Sequence, residues 1–349
     1  MKINDLEFYL VEISRTESRD PVRSLLVRLV TDSGREGWGE STLGWRPGEL
    51  AARRAALLPV LAGRSVFDIS ELLSLEVLKD PPLRCAVEMA CWDLIGRVVG
   101  QPLCNLMGGR YRTRVPMAVR LCQSAPDRVA EVGRALAEQG FYTQVVTASG
   151  RPEEDLRTLR AVRAATGERA DLYFDGRACY EMESASDLCA EMESDSPQFF
   201  IDPLAAGDLF SVAALGRQTS VPLAMWRAIR GPSDVQAAVR CGAAPMVVID
   251  LGLVGGITPA RKCAAVAEAG GLRAVLGGQP SLGIATAAML QLAAATPILS
   301  GYGECAFHQL RDHVLADGLD FIDGMMAVPH APGLGVEIDR LKVERYQVA

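Results

Sequence analysis

Charged side chains recur in this sequence where short apolar runs end. They are carboxylates and guanidinium groups, which enzymes use for proton transfer. The positions are Arg120, Asp175, Arg177, Arg227, Asp250 and Glu304. A carboxylate in a water-poor site can act as a general base. A fixed guanidinium can bind a substrate carboxylate through two hydrogen bonds and can stabilise developing negative charge. The three histidines of the chain all follow Glu304, so the pattern predicts a site of carboxylates and guanidinium groups without imidazole.

These apolar runs belong to a strand–loop–helix rhythm that begins near residue 113 and repeats eight times. The predicted strands are VPMAVRL (115–121), FYTQVVTA (141–148), DLYFDGR (171–177), PQFFIDPL (197–204), VPLAMWRA (221–228), APMVVIDL (244–251), LRAVLGG (272–278) and PILSGYGE (297–304). Eight such units in about 200 residues predict a closed (β/α)8 barrel, whose chemistry takes place at the C-terminal ends of the strands. A doubly wound sheet is disfavoured because no glycine-rich loop follows the first strand.

Composition limits the classes of partner. The chain has 349 residues, 49% of them hydrophobic, and a net charge of −7. With this charge and no long basic run, nucleic acid and anionic membranes are not expected as partners. No run of about 18 apolar residues predicts a membrane span, and MKINDLEFYL does not resemble a signal peptide. The nine scattered cysteines form no CxxC pair, which favours reduced thiols in a cytoplasmic protein.

Five segments together resemble a known family. They are WGE (38–40), AVEMACWDLIGRVVGQPLCNLMGG (86–109), VVIDLGLVGGIT (247–258), GIATAAMLQLAAATP (283–297) and PGLGVEID (332–339). They are similar to the enolase superfamily, in particular its branch of mandelate racemase and muconate-lactonizing enzyme. The resemblance implies an α+β capping domain (1–112), a modified barrel (113–320) and a tail (321–349) that returns to the cap. It also implies removal of a proton next to a carboxylate, with the enediolate stabilised by Mg²⁺ on carboxylates of the third, fourth and fifth strands.

At two of the three positions where that family has metal-binding carboxylates, this sequence has other residues. Asp175 keeps the third-strand carboxylate, but Ile201 and Arg227 stand at the fourth-strand and fifth-strand positions. Mg²⁺ is usually held by carboxylates, and the permanent charge of Arg227 would repel it. Asp202 follows Ile201, and alternation along a strand turns it away from the site unless the strand bulges. We therefore expect no cofactor, with Arg227 in the region of the metal and paired with Asp175.

The usual bases of the family are replaced as well. Val145 and Thr147 stand where its second strand carries two lysines, and the seventh-strand histidine falls near Gly278 or Gln279. Asp250 stands on the sixth strand, where some branches have Asp and others have Lys. Asp175 and Asp250 are thus the candidate bases, although Asp175 could serve only as an ion-pair partner and Asp250 only as a cap of the following loop.

Further residues are candidates for substrate binding, and each has a structural alternative. They are Arg120, Arg177, Tyr180, Trp226, Gln279 and Glu304 around the barrel mouth, and Trp45 and Arg46 on the cap. The two cap loops, RTESRDP (15–21) and TLGWRPG (42–48), contain Arg15, Arg19 and Arg46, which suggests a small anionic ligand. Arg120 and Glu304 could instead be structural, and Trp226 and Tyr180 could be wall residues.

Three hypotheses follow. The first is a metal-independent lyase or isomerase of a small anion, with Arg227 in place of the metal. The second is a Mg²⁺-dependent racemase or dehydratase whose ligands are rearranged to Asp175, Asp202 and Asp250. The third is a binding or partner protein that has kept the fold without the chemistry. Barrels of this family often associate, so a homo-oligomer is expected.

Overall fold

The barrel is closed. The computed structural model describes residues 1–16, 20–205, 208–278 and 280–348. Within them, eight parallel strands each pair with the next, and the last pairs with the first. They are β4 (Arg114–Leu121), β5 (Thr143–Thr147), β6 (Asp171–Asp175), β7 (Phe199–Ile201), β8 (Leu223–Met225), β9 (Met246–Asp250), β10 (Arg273–Gly277) and β11 (Gly303–Glu304). All eight predicted strands are confirmed.

Helices connect these strands and cover the outside of the barrel. They are α5 (Pro126–Glu138), α6 (Pro152–Thr166), α7 (Met182–Met192), α8 (Leu209–Gly216), α9 (Pro232–Cys241), α10 (Leu251–Val254), α11 (Ile257–Ala269) and α12 (Ile284–Ala295). Three of them begin with a proline, because the first turn of a helix does not need that N–H and favours the fixed φ of proline. The inside of the barrel is a separate apolar cluster that includes Tyr173, Phe199, Trp226 and Tyr302.

The capping domain precedes the barrel. An antiparallel sheet consists of β1 (Ile3–Ile13), β2 (Val22–Thr31) and β3 (Glu36–Ser41), and four helices follow: α1 (Leu50–Leu61), α2 (Ile69–Leu73), α3 (Pro81–Val99) and α4 (Leu103–Leu106). Strands β2 and β3 form an antiparallel hairpin. Gly37 and Gly39 let α3 lie directly on β3, because a Cβ at either position would fall within 2.4 Å of a carbonyl oxygen of α3.

The C-terminal segment contacts both units. A hairpin of β12 (Phe321–Ile322) and β13 (Met325–Ala327) pairs antiparallel with the start of β4. Helix α13 (Arg340–Tyr346) then brings the chain back to the cap, where Val348 N donates to Leu10 O at 2.8 Å. The return of the tail to the cap is therefore confirmed. None of the helices in the described ranges has the length and apolar character that crossing a membrane requires.

Two buried carboxylates of the cap join it to the barrel. The Glu40 oxygens accept hydrogen bonds from Leu282 N and Ala285 N at the start of α12. The Glu88 oxygens accept from Ile257 N and Thr258 N, at 2.5 and 2.9 Å, at the start of α11. The first N–H groups of a helix lack partners within the helix and attract negative charge. Each glutamate thus completes a helix of the other domain.

Candidate active site

Asp175, the last residue of β6, lies at the centre of an ion-pair cluster at the barrel mouth. Its carboxylate is fully buried and binds two arginines. Arg227 Nη1 and Nη2 donate to Oδ1 and Oδ2, both at 2.9 Å, and Arg120 Nη1 donates to Oδ2 at 2.7 Å. The backbone N–H of Arg177 donates to Oδ1 at 2.9 Å. Both oxygens of Asp175 are therefore engaged.

Asp202 is also part of this cluster, which corrects the expectation that it points away from the site. It follows the last residue of β7 with φ of +43°, a left-handed conformation that is uncommon for residues other than glycine. Its oxygens accept from Trp226 N and Arg227 N at 2.8 and 2.9 Å, and Arg227 Nη1 donates to Oδ2 at 2.8 Å. The backbone conformation after the strand turns this carboxylate towards Arg227.

Arg120 connects the cluster to Glu304 on β11. Its Nε and Nη2 donate to the two Glu304 oxygens at 2.6 and 2.9 Å, a paired geometry that fixes both side chains. Trp226 packs against both arginines, with guanidinium carbons 5.2 Å (Arg120) and 4.6 Å (Arg227) from its ring centroid. Such cation–π contacts hold the two cations in fixed positions.

The pKa values of Asp175 and Asp202 are shifted in opposite directions, because burial and the arginine charges oppose each other. Burial alone would raise the pKa of Asp175, but Arg120 and Arg227 outweigh it and hold that pKa below its ordinary value. Burial raises the pKa of Asp202 in spite of its hydrogen bonds from Arg227 and Trp226. Asp175 is therefore a weak base, fixed in its ionised form.

Asp250, the last residue of β9, lies apart from these ion pairs. Its Oδ1 accepts from Gly252 N and Leu253 N at 2.9 and 3.3 Å and so caps α10. Its Oδ2 is buried and has no hydrogen-bond partner among the described residues. Burial raises the pKa of Asp250 to about 6, although the two backbone N–H groups and the nearby Trp226 indole oppose the shift. One oxygen thus has a structural role, and the other is available as a base near neutral pH.

Asp250 also lines a cavity of about 200 Å³ between the cap and the ends of β9, β10 and β11. Asp250 and Glu304 line it on the barrel side, and Glu40 and Ser24 line it on the cap side. Ser24 Oγ is likewise buried, beside the Glu40 carboxylate. Sequence analysis did not single out Glu40 or Ser24. Glu40 is the last residue of the WGE segment, which contributed only to the family resemblance, and Ser24 had no sequence signal.

The structure does not gather all the predicted binding residues at the mouth. Tyr180 is buried, and its hydroxyl donates to Asp155 Oδ2 at 2.5 Å. Trp45 packs in the core of the cap, edge-on to Phe8, rather than over the mouth. The Arg46 side chain is exposed at the start of a short 3-10 helix.

The Arg177 side chain is also exposed, although its backbone contacts Asp175. Arg120, Asp175, Trp226, Arg227 and Glu304 do come together. The predictions for Gln279 and Arg19 concern residues outside the described ranges.

Comparison with known proteins identifies the family. The model described as "Mandelate racemase / muconate lactonizing enzyme, N-terminal domain" matches residues 10–108, and the model "Enolase C-terminal domain-like" matches residues 127–342. The chain belongs to the mandelate racemase/muconate lactonizing enzyme family of the enolase superfamily. The predicted resemblance and the barrel-and-cap fold are confirmed.

Members of this family similar to the chain are enzymes. A chloromuconate cycloisomerase from Cupriavidus pinatubonensis is 27% identical over 337 residues, which cover 93% of this chain and 91% of the relative. An isomerase structure from Streptomyces coelicolor A3(2) has a TM-score of 0.88 at 28% identity and covers 99% of this chain and 98% of its own. Muconate lactonizing enzyme from Pseudomonas putida has a TM-score of 0.92 at 21% identity, with both chains fully covered, and shows the same fold. Racemases, an epimerase and dehydratases are also among the relatives. The chain is thus of the isomerase and lyase type.

The residues at the expected metal position do not fit Mg²⁺. The ion requires near-octahedral oxygen ligands, but Ile201 offers none and Arg227 presents hydrogen-bond donors. The oxygens of Asp175 and Asp202 already accept hydrogen bonds. Across residues 1–16, 20–205, 208–278 and 280–348, no three or more His, Cys, Asp and Glu side chains are grouped so that they could hold a metal ion.

Proposed function

We propose that this protein is a metal-independent isomerase or lyase that removes a proton next to the carboxylate of a small anionic substrate, with Arg227 in place of the metal ion. The observation that carries the proposal is the position of the Arg227 guanidinium. It lies between Asp175 and Asp202, with its side chain 30% exposed at the mouth. Its Nε–H and one Nη2–H have no partner among the described residues. Those two donors are free to bind a substrate carboxylate.

The proposed reaction uses one acid–base group and one fixed cation. Asp250 Oδ2 takes the proton from the carbon beside the substrate carboxylate, and the electron pair of the broken C–H bond moves onto that carboxylate. Arg227 stabilises the resulting enediolate, because a preorganised cation in a water-poor site costs no reorganisation during the reaction. A proton taken from water on the other face of the carbon gives isomerisation, and the proton held by Asp250 is released to solvent. Alternatively, a leaving group departs from the adjacent carbon with its bonding electron pair as a C=C bond forms, which gives elimination.

Asp250 suits the role of base better than Asp175. The pKa of Asp175 lies below its ordinary value and its oxygens are engaged. Asp250 combines a pKa of about 6 with an Oδ2 that has no hydrogen-bond partner among the described residues, and the residue lines a cavity. A base is most effective when its pKa is near the operating pH.

A non-catalytic binding protein is the alternative, and one observation favours it. Each carboxylate of the cluster, on Asp175, Asp202 and Glu304, already has an arginine partner, as expected of a site kept only for stability. Buried ion pairs contribute little net stability, because the cost of desolvation offsets much of the attraction. Stability alone is therefore a weak reason to keep this cluster.

Proton exchange in D₂O distinguishes these functions. The purified protein is incubated with a panel of small carboxylates, including hydroxy acids, amino acids and N-acyl amino acids, and loss of the α-proton signal is followed by NMR. Parallel samples contain EDTA or millimolar Mg²⁺, and elemental analysis reports bound metal. We expect exchange of at least one substrate in EDTA. Exchange that requires Mg²⁺ would support the metal-dependent hypothesis, and calorimetric binding without exchange would support the binding protein.

We also propose a cytoplasmic homo-oligomer with neither nucleic acid nor membrane as partner. The nine cysteines are all free thiols, which suits a reducing compartment. Phe210 exposes 79% of its surface and is a candidate for a contact between copies. Light scattering coupled to size-exclusion chromatography would report the mass, and a monomer at micromolar concentration would contradict the oligomer.

A further inference from the structure

The indole of Trp226 lies close to the arginines of the barrel mouth and to Asp250. Trp226 follows β8 directly, and its side chain belongs to the inner apolar cluster together with Val248 of β9. Side chains two residues apart on a strand point to the same face, so Asp250 points inward in the same row as Val248. The ring of Trp226 also contacts the guanidinium groups of Arg120 and Arg227. One indole is thus adjacent to both cations and to the strand that carries the proposed base.

The indole nitrogen lies next to a glycine of the neighbouring strand. Gly277 on β10 pairs with Asp250 in the barrel register. A Cβ at Gly277 would lie 3.4 Å from Trp226 Nε1 and 2.4 Å from a methyl carbon of Val248. Because Gly277 has no side chain, the indole nitrogen can reach the backbone position that is paired with Asp250.

A buried donor and a buried acceptor meet here. Trp226 is 5% exposed and Asp250 is 2% exposed. Within the described ranges, no hydrogen-bond partner is found for Trp226 Nε1 or for Asp250 Oδ2. Buried polar atoms in native proteins nearly always have partners, and the indole N–H can only donate, whereas an ionised carboxylate can only accept. The indole also lies near enough to Asp250 to oppose the effect of burial on its pKa. The two atoms therefore complement each other.

We propose that Trp226 is a positioning residue for Asp250, and that its indole N–H binds Oδ2 and fixes the direction in which that oxygen faces the substrate. A carboxylate oxygen has two lone pairs, so one can accept the indole N–H while the other takes the proton. Such hydrogen bonds are often long in a free enzyme and shorten when the substrate is bound. This role rests on the proposed function, because it assumes that Asp250 is the base. The contact itself requires no turnover.

The other groups around Asp250 act on its charge rather than on the direction of Oδ2. Two backbone N–H groups of α10 donate to Oδ1. Glu304 on β11 raises the pKa of Asp250 by repulsion. Cys85 and Glu40 line the same cavity from the cap, and the described lining residues include no arginine, lysine or histidine. A change confined to the indole N–H is therefore a specific test.

The indole N–H signals in NMR spectra test the contact without a substrate. The chain has four tryptophans, so a nitrogen-labelled sample gives four such signals. We expect one of them to move as the pH rises from about 5 to about 7, with a midpoint near 6, the pKa of Asp250. The same signal should stay in place in Asp250→Asn, because the titrating group is absent. If all four signals respond to pH in the same way in both proteins, the proposal is overturned.

A matched pair of tryptophan variants separates positioning from packing. Trp226→Phe keeps an aromatic ring and removes the indole N–H. Trp38→Phe makes the same change in the cap, where Trp38 is buried and its Nε1 donates to Glu36 at 3.4 Å. We expect the pKa of Asp250, followed by the NMR signal of its carboxyl carbon, to rise by about one in Trp226→Phe, because the ionised form loses a hydrogen bond. It should not change in Trp38→Phe. An Asp250 pKa that is equal in wild type and Trp226→Phe would overturn the proposal.

The pH–rate profile of proton exchange connects the contact to the reaction. In Trp226→Phe the midpoint should move to higher pH, and the rate at the plateau should fall at least about tenfold, because Oδ2 is less well aligned. Trp38→Phe should keep both values. If Trp226→Phe does not fold, the indole signals of the wild type and Asp250→Asn still decide whether the contact exists.

The outcomes for the two proposals are distinguishable. A protein that shows the contact but exchanges no C–H proton loses the proposed catalysis and keeps the contact. A protein that exchanges the proton with the same pH–rate profile in wild type and Trp226→Phe keeps the catalysis and loses the positioning role of Trp226.

Discussion

Arg227 and Asp175 face each other through two parallel hydrogen bonds, Nη1 to Oδ1 and Nη2 to Oδ2, both 2.9 Å long. This bidentate geometry is the strongest form of arginine–carboxylate pairing. It connects the ends of β6 and β8 across the position where relatives of the fold would be expected to hold a metal ion. The pair defines the electrostatics of the mouth, and the first two predictions concern it.

Removal of Arg227 should destabilise the fold. Arg227→Ala leaves Asp175 and Asp202 buried with one cation fewer, and breaking a buried ion pair costs roughly 3–5 kcal/mol. Because Arg227 is 30% exposed, we expect about 3 kcal/mol, measured as the free energy of unfolding in urea. Arg230→Ala is the control, since Arg230 is an exposed arginine three residues further along. It should cost less than about 1 kcal/mol. Equal losses of unfolding free energy in the two variants would show that the ion-pair cluster makes no specific contribution to stability.

A double substitution should create the metal site that this chain lacks. Ile201 pairs with Asp175 in the barrel register and belongs to the inner apolar cluster. Ile201→Glu with Arg227→Glu would add two carboxylates beside Asp175, and Mg²⁺ prefers such ligands. We expect calorimetry to detect Mg²⁺ binding in the double variant, but not in the wild type or in Arg227→Gln. Failure of a folded double variant to bind Mg²⁺ would contradict our assignment of these strand positions.

Asp250→Asn should abolish proton exchange without unfolding the protein. Asparagine is as good a helix cap as aspartate, so Oδ1 can still accept from Gly252 N and Leu253 N. The amide cannot act as a base, and we expect the rate to fall by at least about a hundredfold. Asp317→Asn, at an exposed position, should keep the full rate. Wild-type exchange by a folded Asp250→Asn variant would remove Asp250 from the mechanism.

The pH dependence of the same reaction should show a single ionisation near that of Asp250. The carboxylate is the active form, and its pKa is raised to about 6. The rate should therefore be low at pH 5, rise through pH 6 and level off above pH 7. A pH–rate profile with the best substrate measures this. A rate that is flat from pH 5 to 8 would exclude Asp250 as the base.

His308 should make the fold sensitive to acid. Burial lowers the pKa of His308 to about 4, and its ring packs against Phe141. The folded state favours the neutral ring, so stability is complete above the unfolded pKa of about 6.5 and is lost as pH falls from there towards 4. The shift corresponds to about 3 kcal/mol. His308→Phe should reduce the pH dependence of the free energy of unfolding in this window. An unchanged dependence would point to other groups.

The barrel could be predicted from the sequence because each of its elements has its own local signal. The run APMVVIDL is apolar and β-branched, and the turn that follows contains the glycines that helix starts and tight turns use. Asp250 could be placed at a strand end for that reason, and so could Asp175. Because the parallel strands of a barrel all end at the same mouth, the two residues were expected there together.

The orientation of individual side chains could not be predicted, because it depends on neighbours that are distant in sequence. Asp202 turns inward because its hydrogen bonds from Trp226 N and Arg227 N offset the conformational cost of a positive φ. Trp45 stays in the cap because Phe8 provides an apolar partner for it. The cavity itself is formed by two domains, and no pattern along one segment indicates a space between two others.

The glutamates at the starts of α11 and α12 have a consequence for how this architecture can be altered. A cap removed from its barrel would lose the backbone N–H partners of two carboxylates, and the barrel would expose the N–H groups that those carboxylates satisfy. The two domains are therefore not interchangeable modules. A foreign cap joined to this barrel would need hydrogen-bond acceptors at the positions of Glu40 and Glu88. Selection for a new specificity is therefore confined to caps that already provide them.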